Sequence, residues 1–93
     1  MVNNQYRRYE EEAEFLKVLA HPVRLSIVKS FIENGSCNVT NMHSYLGMPQ
    51  STISQHLQKL RSIGVIKGER NGLEIIYEVI DKRVERIIDV LDK

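Results

Sequence analysis

Apolar residues follow the helical period through the first two thirds of the chain, alternate over one stretch, and return to the helical period at the end. Met1 to Arg8 is polar and reads as a frayed N-terminal arm. A first helix is expected from about Tyr9 to Leu19. Phe15, Leu16, Val18 and Leu19 form its apolar side, and Glu10, Glu11, Glu12 and Glu14 favour its N-terminal end through the helix dipole. His21-Pro22 breaks it, because proline disfavours helix in the residue before it and suits the first turn of the next helix. A second helix then spans about Pro22 to Glu33, with Leu25, Val28 and Ile32 on one face and Ile27 and Phe31 beside them; Asn34-Gly35 stops it. Ser36-Cys37 is a short, extended link. Asn38 can cap a third helix over about Val39 to Leu46, with Met42 and Leu46 inward, and Gly47 ends that helix.

The fourth helix opens at Pro49 or Gln50 and ends near Gly64. At about 100° per residue it has two opposed faces. Ile53, Leu57 and Leu60 fall on one, and Ser51, Ser54, Gln55 and Gln58 on the other. The second face holds no full charge. A merely solvated face would carry Lys and Glu; amides and hydroxyls suit a helix that lies against base edges, where Gln bonds adenine in bidentate fashion and Ser bonds several bases. An ordinary Gln/Ser-rich surface helix is the plain alternative. His56, at the edge of the apolar side, suits an anchoring role more than a base contact. Two helices joined by a tight glycine-containing turn, the second bearing the polar face, form a helix-turn-helix pattern.

After Gly64 the period changes to two. Val65, Ile66 and Lys67 begin a strand, and Asn71-Gly72 is a hairpin turn signal, since both residues tolerate positive φ. Leu73, Ile75, Tyr77 and Val79 then alternate with Glu74, Ile76 and Glu78, which places Tyr77 toward the core. A hairpin directly behind a recognition helix is a wing. Its tip is expected to carry Arg70 and Asn71, as a phosphate or minor-groove contact; simple cover for the core is the alternative. From about Asp81 to Leu91, Val84, Ile87, Ile88 and Leu91 recur at i, i+3, i+4 and i+7, the narrow stripe of a fifth helix. That helix and the first can close the core or pair with another chain. In so small a domain a two-fold dimer is favoured, because two half-sites double the DNA contacts.

Composition sharpens this picture in one respect. The 93 residues, one domain over 1–93, carry a net charge of only +1. Residues 47–72, however, hold Lys59, Arg61, Lys67 and Arg70 against Glu69 alone. The positive charge therefore sits on and just after the Gln/Ser helix, and phosphate contact needs such a local footprint, whatever the total. The near-neutral total is the one feature favouring a protein-interaction module without DNA binding. A single cysteine, Cys37, excludes an intrachain disulfide. With no membrane-length apolar run and no signal-like N-terminus, a cytoplasmic protein without membrane contact is expected. No nucleophile–base pair, paired carboxylates or glycine-rich phosphate loop is present; Gly35, Gly47, Gly64, Gly68 and Gly72 are expected at element ends. An enzyme is not expected, and no cofactor is implied.

Three ordered segments point to a family. Leu19-Ala20-His21-Pro22-Val23-Arg24-Leu25-Ser26-Ile27-Val28 resembles the signature in which His or Asp, Pro and then Arg-Leu open the second helix. Pro49 to Leu57 resembles the recognition helix of the same family, and Asn71-Gly72-Leu73-Glu74-Ile75-Ile76-Tyr77 its wing. Together they resemble the ArsR/SmtB winged-helix transcriptional repressors of bacteria, over about Tyr9 to Leu91. The resemblance implies a mainly α, winged helix-turn-helix homodimer of order α1-α2-α3-α4-β-β-α5, joined through its terminal helices. It also implies a repressor that binds a pseudo-palindromic operator in double-stranded DNA. Gln50, Ser51, Thr52, Ser54 and Gln55 match the family's reading positions. Gln58 shares their face, and Lys59, Arg61, Lys67, Arg70 and Asn71 are contact candidates by charge and position. Many members sense metals through paired cysteines near the third helix, or through His and carboxylates on the last. Here Cys37 stands without a second cysteine, His43 is expected to face elsewhere, and Asp81, Glu85 and Asp89 have no histidine beside them, so no metal site is expected. Cys37 leaves a redox-responsive repressor as an alternative, although a resolving cysteine is missing; the residue is not expected to be required for operator binding.

Overall fold

The structure, a computed structural model, describes residues 4–35 and 37–92, and of residues 37, 39, 40, 41 and 45 the backbone only. The first three residues of the expected arm, the Ser36 link and the Cys37 thiol lie outside the described residues. A 3₁₀ helix, Gln5–Tyr9, leads into α1 (Glu10–Leu19). Then follow α2 (Pro22–Asn34), β1 (Cys37–Asn38), α3 (Val39–Leu46), α4 (Gln50–Ser62), β2 (Ile66–Asn71), β3 (Glu74–Val79) and α5 (Lys82–Leu91). All five expected helices and the hairpin are present.

Four details depart from the expectations. Gln5 to Arg8 is a helical turn, where a frayed arm was expected: Arg7 N donates to the Asn4 carbonyl at 2.9 Å, and the Arg8 guanidinium lies over the Tyr9 ring at 5.0 Å. The extended link before α3 forms a third strand. Cys37 pairs with Tyr77 and Asn38 with Ile76, so β3 is central in a sheet ordered β1-β3-β2. The hairpin turn is displaced by one residue. Asn71 remains in β2 opposite Glu74, and the two-residue loop is Gly72-Leu73, with Gly72 at φ 68° and Leu73 at negative φ. Glycine at the first loop position matches the right-handed strand twist without asking Asn71 for positive φ. Finally, Gly68 lies inside β2, away from any element end, opposite Tyr77.

The core is one cluster. Ile27, Val28 and Phe31 supply the buried stripe of α2, while Leu25 and Ile32 are only half-buried, so the inward face is rotated from the Leu25-Val28-Ile32 line. Phe15, Val18 and Leu19 join from α1, Met42 from α3, Ile53, Leu57 and Leu60 from α4, and Val84 and Ile88 from α5. Val65, Ile66 and Tyr77 seal the sheet side; Tyr77 stacks parallel to Phe31, with centroids 6.2 Å apart. Leu16 is the exception in α1: it is 52% exposed and points away from this cluster. The ends of α5 are tied to the other helices. Asp81 caps it by accepting from Arg83 N at 2.8 Å, and Arg83 lies over the Phe15 ring at 4.2 Å. At the far end Lys29 Nζ meets Asp92 Oδ2 at 2.8 Å.

Gly68 is required by space. A Cβ there would stand 2.8 Å from Tyr77 Cε1 and 3.0 Å from Ile75 Cγ2. Gly68→Ala is therefore expected to push the Tyr77 ring off Phe31 and to cost about 1–3 kcal/mol, as overpacking usually does. Denaturant unfolding checks this; a midpoint equal to the parent's contradicts it.

Candidate nucleic-acid interface

The polar face of α4 follows from its own periodicity. Ile53, Leu57 and Leu60 are fully buried and fix the rotation of the helix against α1, α2 and β2. Ser51, Ser54, Gln55 and Gln58, at i, i+3, i+4 and i+7, consequently project outward as one exposed stripe. Gln50 extends it by one residue at the N-terminal end and is also exposed, whereas Thr52 is half-buried at its margin. Among the described residues none of these six side chains has a hydrogen-bond partner, so their donors and acceptors are unspent. Pro49 provides no side-chain cap; Thr52 N donates to the Pro49 carbonyl at 3.1 Å, and among the described residues the amides of Gln50 and Ser51 are open as well.

A groove of about 320 Å³ runs between this end of α4 and the wing, lined by Gln50, Ser51, Ser54, Leu73, Glu74 and Asn38 among others. Asn38 Nδ2 donates to Glu74 Oε2 at 3.2 Å and so fixes a carboxylate in the groove. The wing divides along its length. Its inner end, with Ile66 and Tyr77 buried, covers the core, and its outer end, from Glu69 to Ile75, is exposed apart from the strand pairing. The inner half thus serves as core cover, and the outer half stands clear of the core. Arg70 and Asn71 close β2 just before the turn, and Leu73, 99% exposed, forms the tip itself.

The cations differ in availability. Lys59, Arg61 and Arg70 are exposed, and among the described residues none has a carboxylate partner. Lys67 is flanked by Glu69 and Glu78, each 3.1 Å away, and these hydrogen bonds hold its ammonium above the usual lysine range. Glu78 is its direct cross-strand partner and Glu69 lies two residues on, so both contacts depend on strand register.

Two histidines have structural duties. His21 Nδ1 accepts from Val23 N at 3.1 Å and caps α2. His56 is half-buried and its Nδ1 accepts from Arg24 Nε at 3.1 Å, consistent with anchoring. Burial lowers its pKa, assisted by the neighbouring charges of His21 and Arg24. Arg24, which the sequence did not mark as part of the site, lines a second cleft with Gln55, His56, Gln58, Lys59 and Ser62. Among the described residues no three His, Cys, Asp or Glu side chains come together as a metal-binding group. No helix among them is long and apolar enough to cross a membrane.

Comparison with known proteins agrees with this geometry. The sequence model of the family described as bacterial regulatory protein, arsR family, matches residues 21–67, from the start of α2 into β2. The transcriptional repressor PagR of Bacillus anthracis is 46% identical over 88 residues, 95% of this chain and 88% of that protein. Its crystal structure superposes with a TM-score of 0.81 over 94% of this chain and 99% of that one. NolR from Sinorhizobium fredii gives a TM-score of 0.86 at 30% identity, covering 98% and 90% of the two chains. The transcriptional repressor BigR from Xylella fastidiosa gives 0.81 at 32% identity, covering 98% and 93%.

Proposed function

The chain belongs to the arsR family of bacterial regulatory proteins, and from that premise we propose that it is a cytoplasmic repressor that binds a pseudo-palindromic operator as a homodimer. The family is one of transcriptional regulators, with no enzymatic chemistry to account for. One observation supports the DNA reading above the others: a stripe of uncharged, unpartnered donors and acceptors on a helix whose opposite side is locked into the core. Water alone would not select amides and hydroxyls over Lys and Glu there. Ser51, Ser54, Gln55 and Gln58 then read base edges in the major groove, with Gln50 and the open amides of α4 at a phosphate. Thr52 stands at the margin. Lys59, Arg61 and Arg70 contact phosphates, and Asn71 and Leu73 follow the wing into the adjacent minor groove. Lys67 must leave two carboxylates before it can join them.

The dimer is supported by a second apolar stripe. Tyr6, Tyr9 and Leu16 are exposed on one side of the N-terminal helical segment, and Val90 and Leu91 are exposed at the end of α5. Exposed apolar residues on both terminal helices suit a partner surface, and a second copy of the chain would bury them in the self-complementary way a two-fold axis requires.

Base reading and phosphate binding separate experimentally. Gln55→Ala is expected to lose discrimination at one or two base pairs per half-site, worth about 1–3 kcal/mol for a bidentate pairing, while binding to unrelated DNA persists. Arg70→Ala is expected to weaken all sequences alike and to reduce the slope of log affinity against log salt by about 1 for each phosphate it no longer neutralises. Fluorescence anisotropy over a salt series with matched and mutated duplexes measures both. Equal losses on every duplex for Gln55→Ala would remove its reading role.

A further inference from the structure

Arg24 stands where three helices meet, and its contacts are specific. Nη1 donates to the Val18 carbonyl at 2.9 Å, one of the C-terminal carbonyls of α1 that lack an intrahelical partner. Nε donates to His56 Nδ1 on α4 at 3.1 Å. The His21 ring, at the N-terminus of α2, lies against the His56 ring with centroids 4.6 Å apart and planes tilted by 60°. A guanidinium has only donors and does not lose its proton, so the accepting Nδ1 of His56 must be bare. His56 is therefore the neutral tautomer with its proton on Nε2. It is also the direct neighbour of Gln55 in the stripe proposed to meet the bases.

We infer that His56 is a positioning residue for DNA binding: it is the acceptor through which Arg24 fixes the rotation of α4 against α1 and α2, and its protonation releases the recognition helix. The inference rests on the reading that α4 meets the DNA. Among the described residues the charged and titratable groups facing His56 are His21 and Arg24 from the α2 end and Lys59 from its own helix, which lines the same cleft; the Val18 carbonyl of α1 meets Arg24. Among the described residues no carboxylate stands there to welcome an imidazolium. A proton on Nδ1 removes the acceptor and sets two cations 3.1 Å apart, so the clamp has no charged alternative. Burial and the two neighbouring groups already favour the neutral ring. The sign follows: the binding-competent form is the deprotonated one, so operator affinity is full above the ordinary histidine range and falls as the pH drops through the lowered titration of His56. General attraction between added positive charge and phosphate runs the other way.

The test compares wild type with His56→Asn, whose Oδ1 can accept from Arg24 but does not titrate. Affinity is measured at pH 7.5 and pH 5.0, at fixed ionic strength, on a duplex carrying the motif the wild type enriches at pH 7.5 and on an unrelated duplex of the same length. Wild type should lose about fivefold on the motif at pH 5.0 relative to His56→Asn, a size ordinary for one perturbed titration; on the unrelated duplex the two should respond alike. Identical pH profiles on the motif, or tighter wild-type binding in acid than the variant shows, would overturn the inference. Enrichment of no motif by wild type at pH 7.5 would overturn the DNA reading and this inference with it. If His56→Asn does not fold, nitrogen NMR of the histidine rings in the wild-type protein decides: a His56 proton on Nε2 supports the clamp, and a proton on Nδ1 near neutral pH refutes it.

Discussion

Leu16→Glu should yield a monomer and lower operator affinity by about 10²–10⁴, while leaving the fold intact. Leu16 is 52% exposed, beside the buried line of Phe15, Val18 and Leu19 on α1, so a carboxylate there meets water in the single chain and should cost little stability. In the proposed dimer the same carboxylate is desolvated against apolar partners, which is expensive without a cation. Losing the dimer turns an effectively intramolecular second half-site interaction into an independent one, and the loss of linked binding sets the range. Analytical ultracentrifugation with anisotropy on the same samples checks both parts. A variant that stays dimeric and binds with parental affinity would show that α1 pairs with another chain through some other face, or not at all.

Phe31→Ala is expected to destabilise the domain by about 3–5 kcal/mol, the usual cost of emptying a buried aromatic site. Phe31 is 1% exposed and stacks on Tyr77, which is itself packed beside Gly68. Removing the ring therefore takes away the packing that joins α2 to the sheet, and only small adjustments could refill the space. A domain of this size holds about 5–15 kcal/mol in total, so the variant should sit close to its unfolding transition at growth temperature. Thermal and urea unfolding by circular dichroism measure it. A loss below about 1 kcal/mol would mean that the α2–sheet packing is far looser than the stacked rings indicate.

What the sequence discloses depends on how local the cause is. The faces of α4 were legible because Ile53, Leu57 and Leu60 recur at the helical period, and burial of that line decides where Ser51, Ser54, Gln55 and Gln58 point. In α1 the same reasoning falls short: Phe15, Leu16, Val18 and Leu19 are all apolar, and periodicity alone does not tell an inward stripe from one awaiting a second chain. Tyr6, Tyr9 and Leu16, at spacings of three and seven, are all exposed. The two residues of β1 are too few to show alternation, and they are extended because the free edge of β3 accepts them. The turn moved by one residue because Asn-Gly promises positive φ at both positions, while the Ile66–Val79 register needs it only at Gly72. Lys67 counted as an available cation until that register set Glu78 opposite it. Arg24 and His56 lie 32 positions apart, and only the packing of α2 on α4 brings them together.

Selection of bound sequences from a random duplex pool by the wild-type protein tests the central claim most directly. Two inverted half-sites centred about 10–10.5 base pairs apart are expected, with the preference at particular positions erased when Gln55→Ala is used in place of wild type. A pool that emerges without an enriched motif, or with one unrepeated half-site, would contradict a paired recognition helix reading DNA through its amides and hydroxyls.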